Sequence, residues 1–196
     1  DISKPGILAK SLGYAQIGTG TGSGSNRGVY AWNRENGNDE LYQVYGSDMY
    51  KYNGTNFESI GSGFGSGTSP VEWGVSFINT GTGVGTAAET FVGRLYVTQG
   101  IEGPVQFTTG TSMASLANVY AKHLEVYKGR LYLGNVKTGS KTYPSRVIFS
   151  EVSKDSFPEN NYFDDMGEGI TGLKEYSGAL FVFTQDKVAA WDEYSL

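Results

Sequence analysis

The sequence predicts an all-β fold, a β-propeller-like array of about four antiparallel meander units, on three observations. The first is composition: 29 Gly and 5 Pro stand beside 14 Tyr and 10 Phe in 196 residues. Glycine supplies turns and aromatic side chains suit a pleated, half-buried surface. A disordered chain would carry far fewer aromatics and more than the 18% charged residues found here. The second is a recurring phrase, a Gly followed by a short apolar and aromatic run. It reads Val92-Gly93-Arg94-Leu95-Tyr96-Val97, Lys128-Gly129-Arg130-Leu131-Tyr132-Leu133 and Ser177-Gly178-Ala179-Leu180-Phe181-Val182. The copies are 36 and 49 residues apart, bracketing the roughly 40–50 residues of a four-stranded blade. The third is punctuation: turn dipeptides separate short runs that alternate with period two.

Taken in order, residues 1–27 read as a lead-in, with strand character at Ile7-Leu8 and Tyr14–Ile17 and a low-complexity Gly/Thr/Ser loop from Gly18 to Ser25. Residues 28–196 read as the repeat domain. Its first unit is a meander: Val29–Trp32, a turn at Asn36-Gly37, Leu41–Tyr45, a turn at Gly46–Asp48, Met49–Tyr52, a turn at Asn53-Gly54, and Phe57–Ile60. Leu41, Gln43 and Tyr45 alternate with Tyr42 and Val44, which puts apolar and aromatic groups on both faces. Such a sheet is suited to lie between neighbours.

The second unit follows the glycine run Gly61–Gly67. Val71–Ile78 alternates with period two, a Gly/Thr loop spans Thr80–Thr86, Phe91–Thr98 holds the first phrase, and Val105–Phe107 is its partner. Val119–Tyr127 leads into the second phrase and Arg146–Ser150 follows it. Ile170–Tyr176 leads into the third, and Lys187–Trp191 follows. The units therefore fall near 28–60, 71–116, 119–163 and 167–196. One short helical turn is expected within Thr111–Lys122, where Met113, Leu116, Ala117 and Tyr120 have helical spacing. A β-sandwich is the alternative architecture; repetition of the phrase as a unit favours the propeller-like array. Asp1 stands first and Val188–Leu196 stops inside a strand-like run. The expectation is a processed product or a fragment, an incomplete array whose open edges need covering.

Net charge is −5 and the pI is about 4.9, which argues against a broad phosphate-binding surface. There are no cysteines, so disulfides and thiolate metal sites are excluded. No apolar run approaches the ~18 residues of a membrane-spanning helix.

Motifs with chemical meaning are few. Gly110-Thr111-Ser112-Met113-Ala114-Ser115 copies the nucleophile motif of subtilisin-like proteases, but Leu116-Ala117 stands where that family has Pro-His. The single His, His123, follows the serine, and a nucleophile without its base is inert. The glycine stretches lack the Gly-Lys-Ser/Thr or strand–loop–helix context of phosphate loops. Asp164, Asp165 and Glu168 beside Gly167 and Gly169 have oxygen ligands for calcium but not the alternating pattern, and read as a solvated turn. Asn53-Gly54-Thr55 fits a glycosylation acceptor and, more simply, a hairpin turn. Trp32, Tyr42, Tyr45, Tyr50, Tyr52 and Trp73 could stack on sugars; sheet packing explains most of them without a ligand. No residue is assigned a catalytic, cofactor-binding or metal-ligating role.

Three further segments carry a resemblance. They are Tyr143-Pro144-Ser145-Arg146-Val147-Ile148-Phe149-Ser150-Glu151-Val152, then Ser156-Phe157-Pro158-Glu159-Asn160-Asn161-Tyr162-Phe163-Asp164, then Gly169-Ile170-Thr171-Gly172-Leu173. With Lys128–Tyr132 before them and Ala179–Phe183 after, residues 122–196 resemble tailed-bacteriophage virion proteins of the head-to-tail connector, tail-nozzle and packaged-DNA stabilisation type. The resemblance implies a non-enzymatic structural protein located in the virion, without cofactor or metal. It would form a homo-oligomeric ring or tube around the DNA exit path. Its partners would be neighbouring connector or tail subunits, with DNA only as passing or enclosed cargo and no membrane. The acidic balance suits a channel wall that does not grip DNA. A carbohydrate-binding or glycan-processing module is the alternative.

Overall fold

The computed structural model describes residues 24–34, 38–65, 67–79, 91–164 and 166–192. They form four antiparallel sheets, with no helix among the described residues. The first sheet runs β1 (Asn26–Asn33), β2 (Asp39–Tyr45), β3 (Asp48–Tyr52), β4 (Phe57–Ser62). The second runs β5 (Glu72–Asn79), β6 (Phe91–Thr98), β7 (Gln106–Thr108), β8 (Met113–Ser115). The third runs β9 (Tyr120–Tyr127), β10 (Arg130–Thr138), β11 (Lys141–Phe149), β12 (Tyr162–Phe163). The fourth has β13 (Gly172–Tyr176), β14 (Ala179–Phe183) and β15 (Val188–Trp191). In every sheet the strands lie in chain order, as in a meander. β1 starts at Asn26, inside the stretch read as the lead-in. The expected strands at Ile7-Leu8 and Tyr14–Ile17, the Asn36-Gly37 turn and the Thr80–Thr86 loop lie outside the described residues.

Three apolar cores separate the four sheets. Trp32, Tyr42, Val44 and Met49 of the first sheet meet Leu95 and Val97 of the second. Ile78 and Tyr96 of the second meet Leu124, Leu131 and Leu133 of the third. Tyr127, Tyr132 and Val147 of the third meet Leu173, Leu180 and Val182 of the fourth. No core among the described residues joins the fourth sheet to the first.

The recurring phrase occupies β6, β10 and β14, the second strand of three successive sheets. Adjacent residues of a strand point to opposite faces, so its Leu and its aromatic part company. Leu95, Leu131 and Leu180 point toward the preceding sheet, whereas Tyr96 and Tyr132 point toward the following one. β2 carries a fourth copy that the glycine-led reading did not register, Leu41-Tyr42, with Tyr42 facing the second sheet.

Glycine serves the phrase in two ways. Lys128-Gly129 (φ 47° and 71°) and Ser177-Gly178 (φ 51° and 80°) form two-residue turns with both residues left-handed. That geometry matches the twist of a hairpin. Gly93, by contrast, lies inside β6, opposite Phe77, and a Cβ there would stand 3.0 Å from the Trp32 ring. Its small size, rather than its turn chemistry, is what the first core uses. The expected helical turn within Thr111–Lys122 is also absent. Met113–Ser115 pair with β7 as β8, and the Met113 side chain packs on Gly61 of the first sheet. Sheet pairing and that contact override the helical spacing.

Polar groups tie the sheets at their rims. Glu40 accepts hydrogen bonds from Arg34 Nε (2.6 Å), Lys51 Nζ (2.5 Å) and Tyr42 Oη (2.6 Å). Arg34 and Lys51 also donate to the carbonyls of Thr109 and Gly110 in the second sheet. Arg94 pairs with Asp155, and Lys174 with Glu125, across the next two joints. Burial alone would raise the Glu40 carboxyl, but the hydrogen bonds from Lys51, Tyr42 and Arg34 outweigh it and hold it below the ordinary carboxylate range. A depressed folded-state value gives stability that is complete above the unfolded carboxylate value, about 4.3. That stability is lost as pH falls through the folded value. Glu40→Gln is expected to cost about 1.5–3 kcal/mol in urea unfolding at neutral pH, the range for hydrogen bonds to charged groups. Its stability should also fall less steeply than wild type under acid.

Candidate functional site

A mixed-charge trough lies at one end of the array, built where first strands begin and second strands end. A cleft of about 510 Å³ is lined by Arg27 of β1, Glu72 of β5, Gln99 and Glu102 after β6, and Lys122 and His123 of β9, with Asn135 of β10. A second hollow of about 410 Å³ shares Lys122 and Asn135 and adds Glu168, Thr171 and Asp186 beside the fourth sheet. The two hollows adjoin at these shared residues, and between them their walls draw on the first three sheets and on the segments flanking the fourth. Acidic side chains outnumber Arg27 and Lys122 along the wall.

Much of this wall is occupied with holding the fold. Arg27 is 4% exposed. Its Nε donates to Ser69 O (2.9 Å), and its Nη1 to Gly65 O (2.9 Å) and Gly46 O (3.3 Å). Burial pulls its pKa down, and the nearby Glu102 charge works against that pull. Gln99 Nε2 donates to Gly63 O, and its Oε1 accepts from Gly65 N at 2.6 Å. Between the second and third sheets, Glu72 Oε1 lies 2.7 Å from His123 Nδ1, and Glu72 Oε2 accepts from Leu124 N at 2.9 Å. A carboxylate at Nδ1 places the proton there in the neutral ring. His123 Nε2 is buried with no hydrogen-bond partner among the described residues. The His–Glu pair thus cross-links β5 and β9 at the rim of the trough.

The residues singled out in the sequence do not converge. Ser112 lies in the turn between β7 and β8, its carbonyl accepting from Thr108 Oγ1 at 2.7 Å. It is not among the residues lining the trough. Asp164 is engaged by Arg146 Nη2 (2.9 Å) and Ser145 Oγ (2.9 Å), and the Arg146 contact chiefly holds its carboxyl low. Glu168 instead accepts from Thr184 Oγ1 at 2.8 Å, which lowers its carboxyl. Asp165 lies outside the described residues. Asn53 Oδ1 accepts from the Thr55 and Asn56 amides while its Nδ2 donates to Glu58, so the side chain forms the turn. Trp32, Tyr42 and Tyr50 are buried, Trp32 and Tyr42 within the first core; Trp73 packs against that core and stacks on Tyr30. Replacing Trp32 or Trp73 by Ala would therefore read core packing before any sugar contact. The sequence reading missed Arg27, Glu72 and Lys122, because what unites them is the start of equivalent strands and not proximity along the chain.

Comparison with models of known protein families gave no match, and comparison with curated proteins gave none. What fold and site define is a class, an all-β series of meander sheets joined face to face in chain order.

Proposed function

We propose that the chain is a structural component of a tailed-bacteriophage particle, of the connector or tail type, that acts by assembly. In this reading the four sheets are blades of a β-propeller-like array, other virion subunits cover its open faces, and it carries out no reaction. The observation that carries the reading is the one-way joint: at each of the three joints the tyrosine of one sheet's second strand (Tyr42, Tyr96, Tyr132) faces the side of the next sheet that carries its phrase leucine (Leu95, Leu131, Leu180). Such a joint extends a material and does not enclose a reaction. Two further observations support it. Inter-sheet contacts include β1–β5, β5–β9 and β9–β13, so first strands gather as inner strands of blades do. The residues that resemble virion proteins also concentrate at one joint. Val147, Phe163, Ile170, Leu173 and Leu180 share the core between the third and fourth sheets, and Arg146 clamps Asp164 beside it. The acidic trough suits a surface past which DNA slides, since like charge opposes phosphate binding.

The test is to locate the protein in purified particles. A gold label on an affinity tag should appear at the neck or tail under negative stain. Label found only on free protein, with none on particles, would refute the reading.

A further inference from the structure

We propose that Asn53 is a self-modification site: in the folded protein its side-chain amide closes on the Gly54 nitrogen to a cyclic imide, which water opens to aspartate or isoaspartate. The proposal is independent of the assembly reading above.

Residues 53–56 join β3 to β4 and are exposed. The turn is firmly held. Asn53 N donates to Asn56 O at 3.0 Å and Tyr52 Oη donates to Gly54 O at 2.8 Å. The Tyr52 and Phe57 rings, 5.4 Å apart, close the hairpin beneath it. Within this frame the Asn53 side chain folds back over the peptide that follows it. Its Oδ1 accepts from Thr55 N at 2.9 Å and from Asn56 N at 2.8 Å. Asn53 Cγ is thereby kept on the side of the Gly54 nitrogen, and a nucleophile held beside its electrophile has a high effective concentration. The Gly54 nitrogen has no hydrogen-bond partner among the described residues. Gly54 has no side chain to shield it, and a Cβ there would meet nothing within 4 Å, so no neighbour shields it either.

The hydrogen bonds match the charge changes of ring closure. The Thr55 and Asn56 amides point at the oxygen on which negative charge develops, as oxyanion donors do. Nδ2, the leaving nitrogen, donates to Glu58 Oε1 at 2.7 Å, so Glu58 is placed to pass a proton to it. The Gly54 nitrogen bonds to Asn53 Cγ, the Cγ–Nδ2 bond breaks, and the proton given up by Gly54 leaves with Nδ2 as ammonia. Water then adds to either ring carbonyl, and the Gly54 nitrogen regains a proton from it. Opening at Cγ gives aspartate; opening at the main-chain carbonyl gives isoaspartate. Nothing is oxidised or reduced. Either product replaces the donor that faced Glu58 with a carboxylate. Isoaspartate also lengthens the main chain between β3 and β4 by one carbon, which loosens β4 from its partner.

Incubation of the purified, folded chain at mildly alkaline pH, followed by peptide mapping with mass spectrometry, tests this. The peptide carrying Asn53, mapped apart from Asn36-Gly37, should first lose the mass of ammonia and then gain that of water. Isoaspartate should appear at position 53. Glu58→Gln keeps an acceptor for Nδ2 but cannot carry the proton; it should slow conversion about tenfold or more, with near-ultraviolet circular dichroism showing wild-type folding. An Asn53 that stays intact in the folded chain but converts in the guanidinium-unfolded chain would show that the turn protects the amide, and would overturn the proposal. An Asn53 intact in both would overturn it equally. Equal rates in wild type and Glu58→Gln would overturn the part given to the carboxylate.

Discussion

Alanine in place of the repeated Leu–aromatic pair is expected to be severe or mild according to which sheets flank it. Leu95→Ala, Leu131→Ala and Leu180→Ala should each cost about 2–5 kcal/mol in denaturant unfolding, because each deletes a buried side chain and leaves a cavity. Tyr96→Ala and Tyr132→Ala should cost about 3–5 kcal/mol for the same reason. Leu41→Ala and Phe181→Ala remove the same chemical groups from equivalent strand positions. They should cost only about 1 kcal/mol in dilute solution, since neither group is covered by a further sheet among the described residues. Local propensity is nearly constant across each series, so the gradient from end to middle isolates sheet-on-sheet burial. Equal costs across the leucine series would show that the positions are not related as the stacking requires.

Gly74→Val is expected to be the most damaging substitution at a position with no side chain to lose. Valine favours a strand, and Gly74 lies in mid-β5 opposite Tyr96, so on propensity alone the change should stabilise. A Cβ at that point would lie 2.3 Å from Leu124 Cδ2 and 3.2 Å from Val126 Cγ2. Leu124 is 3% exposed within the second core, so its methyl has nowhere to retreat and β9 must move away. Overpacking of this kind costs about 1–3 kcal/mol, and the bulk of valine points to the upper end. Leu124→Ala in the same chain should recover part of the loss by opening space, a non-additivity that a double-mutant cycle measures directly. Independent, additive losses would mean the two sheets do not meet there.

Much of the architecture was legible because strand periodicity and turn chemistry act locally. Leu41–Tyr45 carries apolar groups on both faces, and it does lie in a sheet whose faces are both apolar. Lys128-Gly129 and Ser177-Gly178 turn where hairpin geometry demands left-handed residues. The unit limits read from the repeats fall close to the observed sheets, from β1–β4 through β13–β15. Legibility failed where tertiary contact decides. Gly93 is followed by Arg-Leu-Tyr as Gly129 is, but it sits in mid-strand, because its value is the room it leaves for Trp32. Met113–Ser115 has helical spacing but becomes an edge strand, because β7 needs a partner and Met113 fills the space beside Gly61. The Glu40 cluster was invisible for the same reason: Arg34 and Lys51 find their second partners in the Thr109-Gly110 turn, far along the chain. The trough could not be read either. Its residues share only a position at strand starts and ends, which becomes a common wall after the sheets have stacked.

The central claim is that four meander sheets pack face to face in chain order, each leucine face covering the aromatic face before it. Nuclear Overhauser contacts at the three close-approach glycines test it most directly. The account predicts cross-peaks from Gly28 Hα to the Trp73 indole, from Gly74 Hα to the Leu124 methyls and from Gly134 Hα to the Ile170 methyls. Loss of these three, or contacts from those glycines to sheets that are not neighbours in the chain, would contradict it.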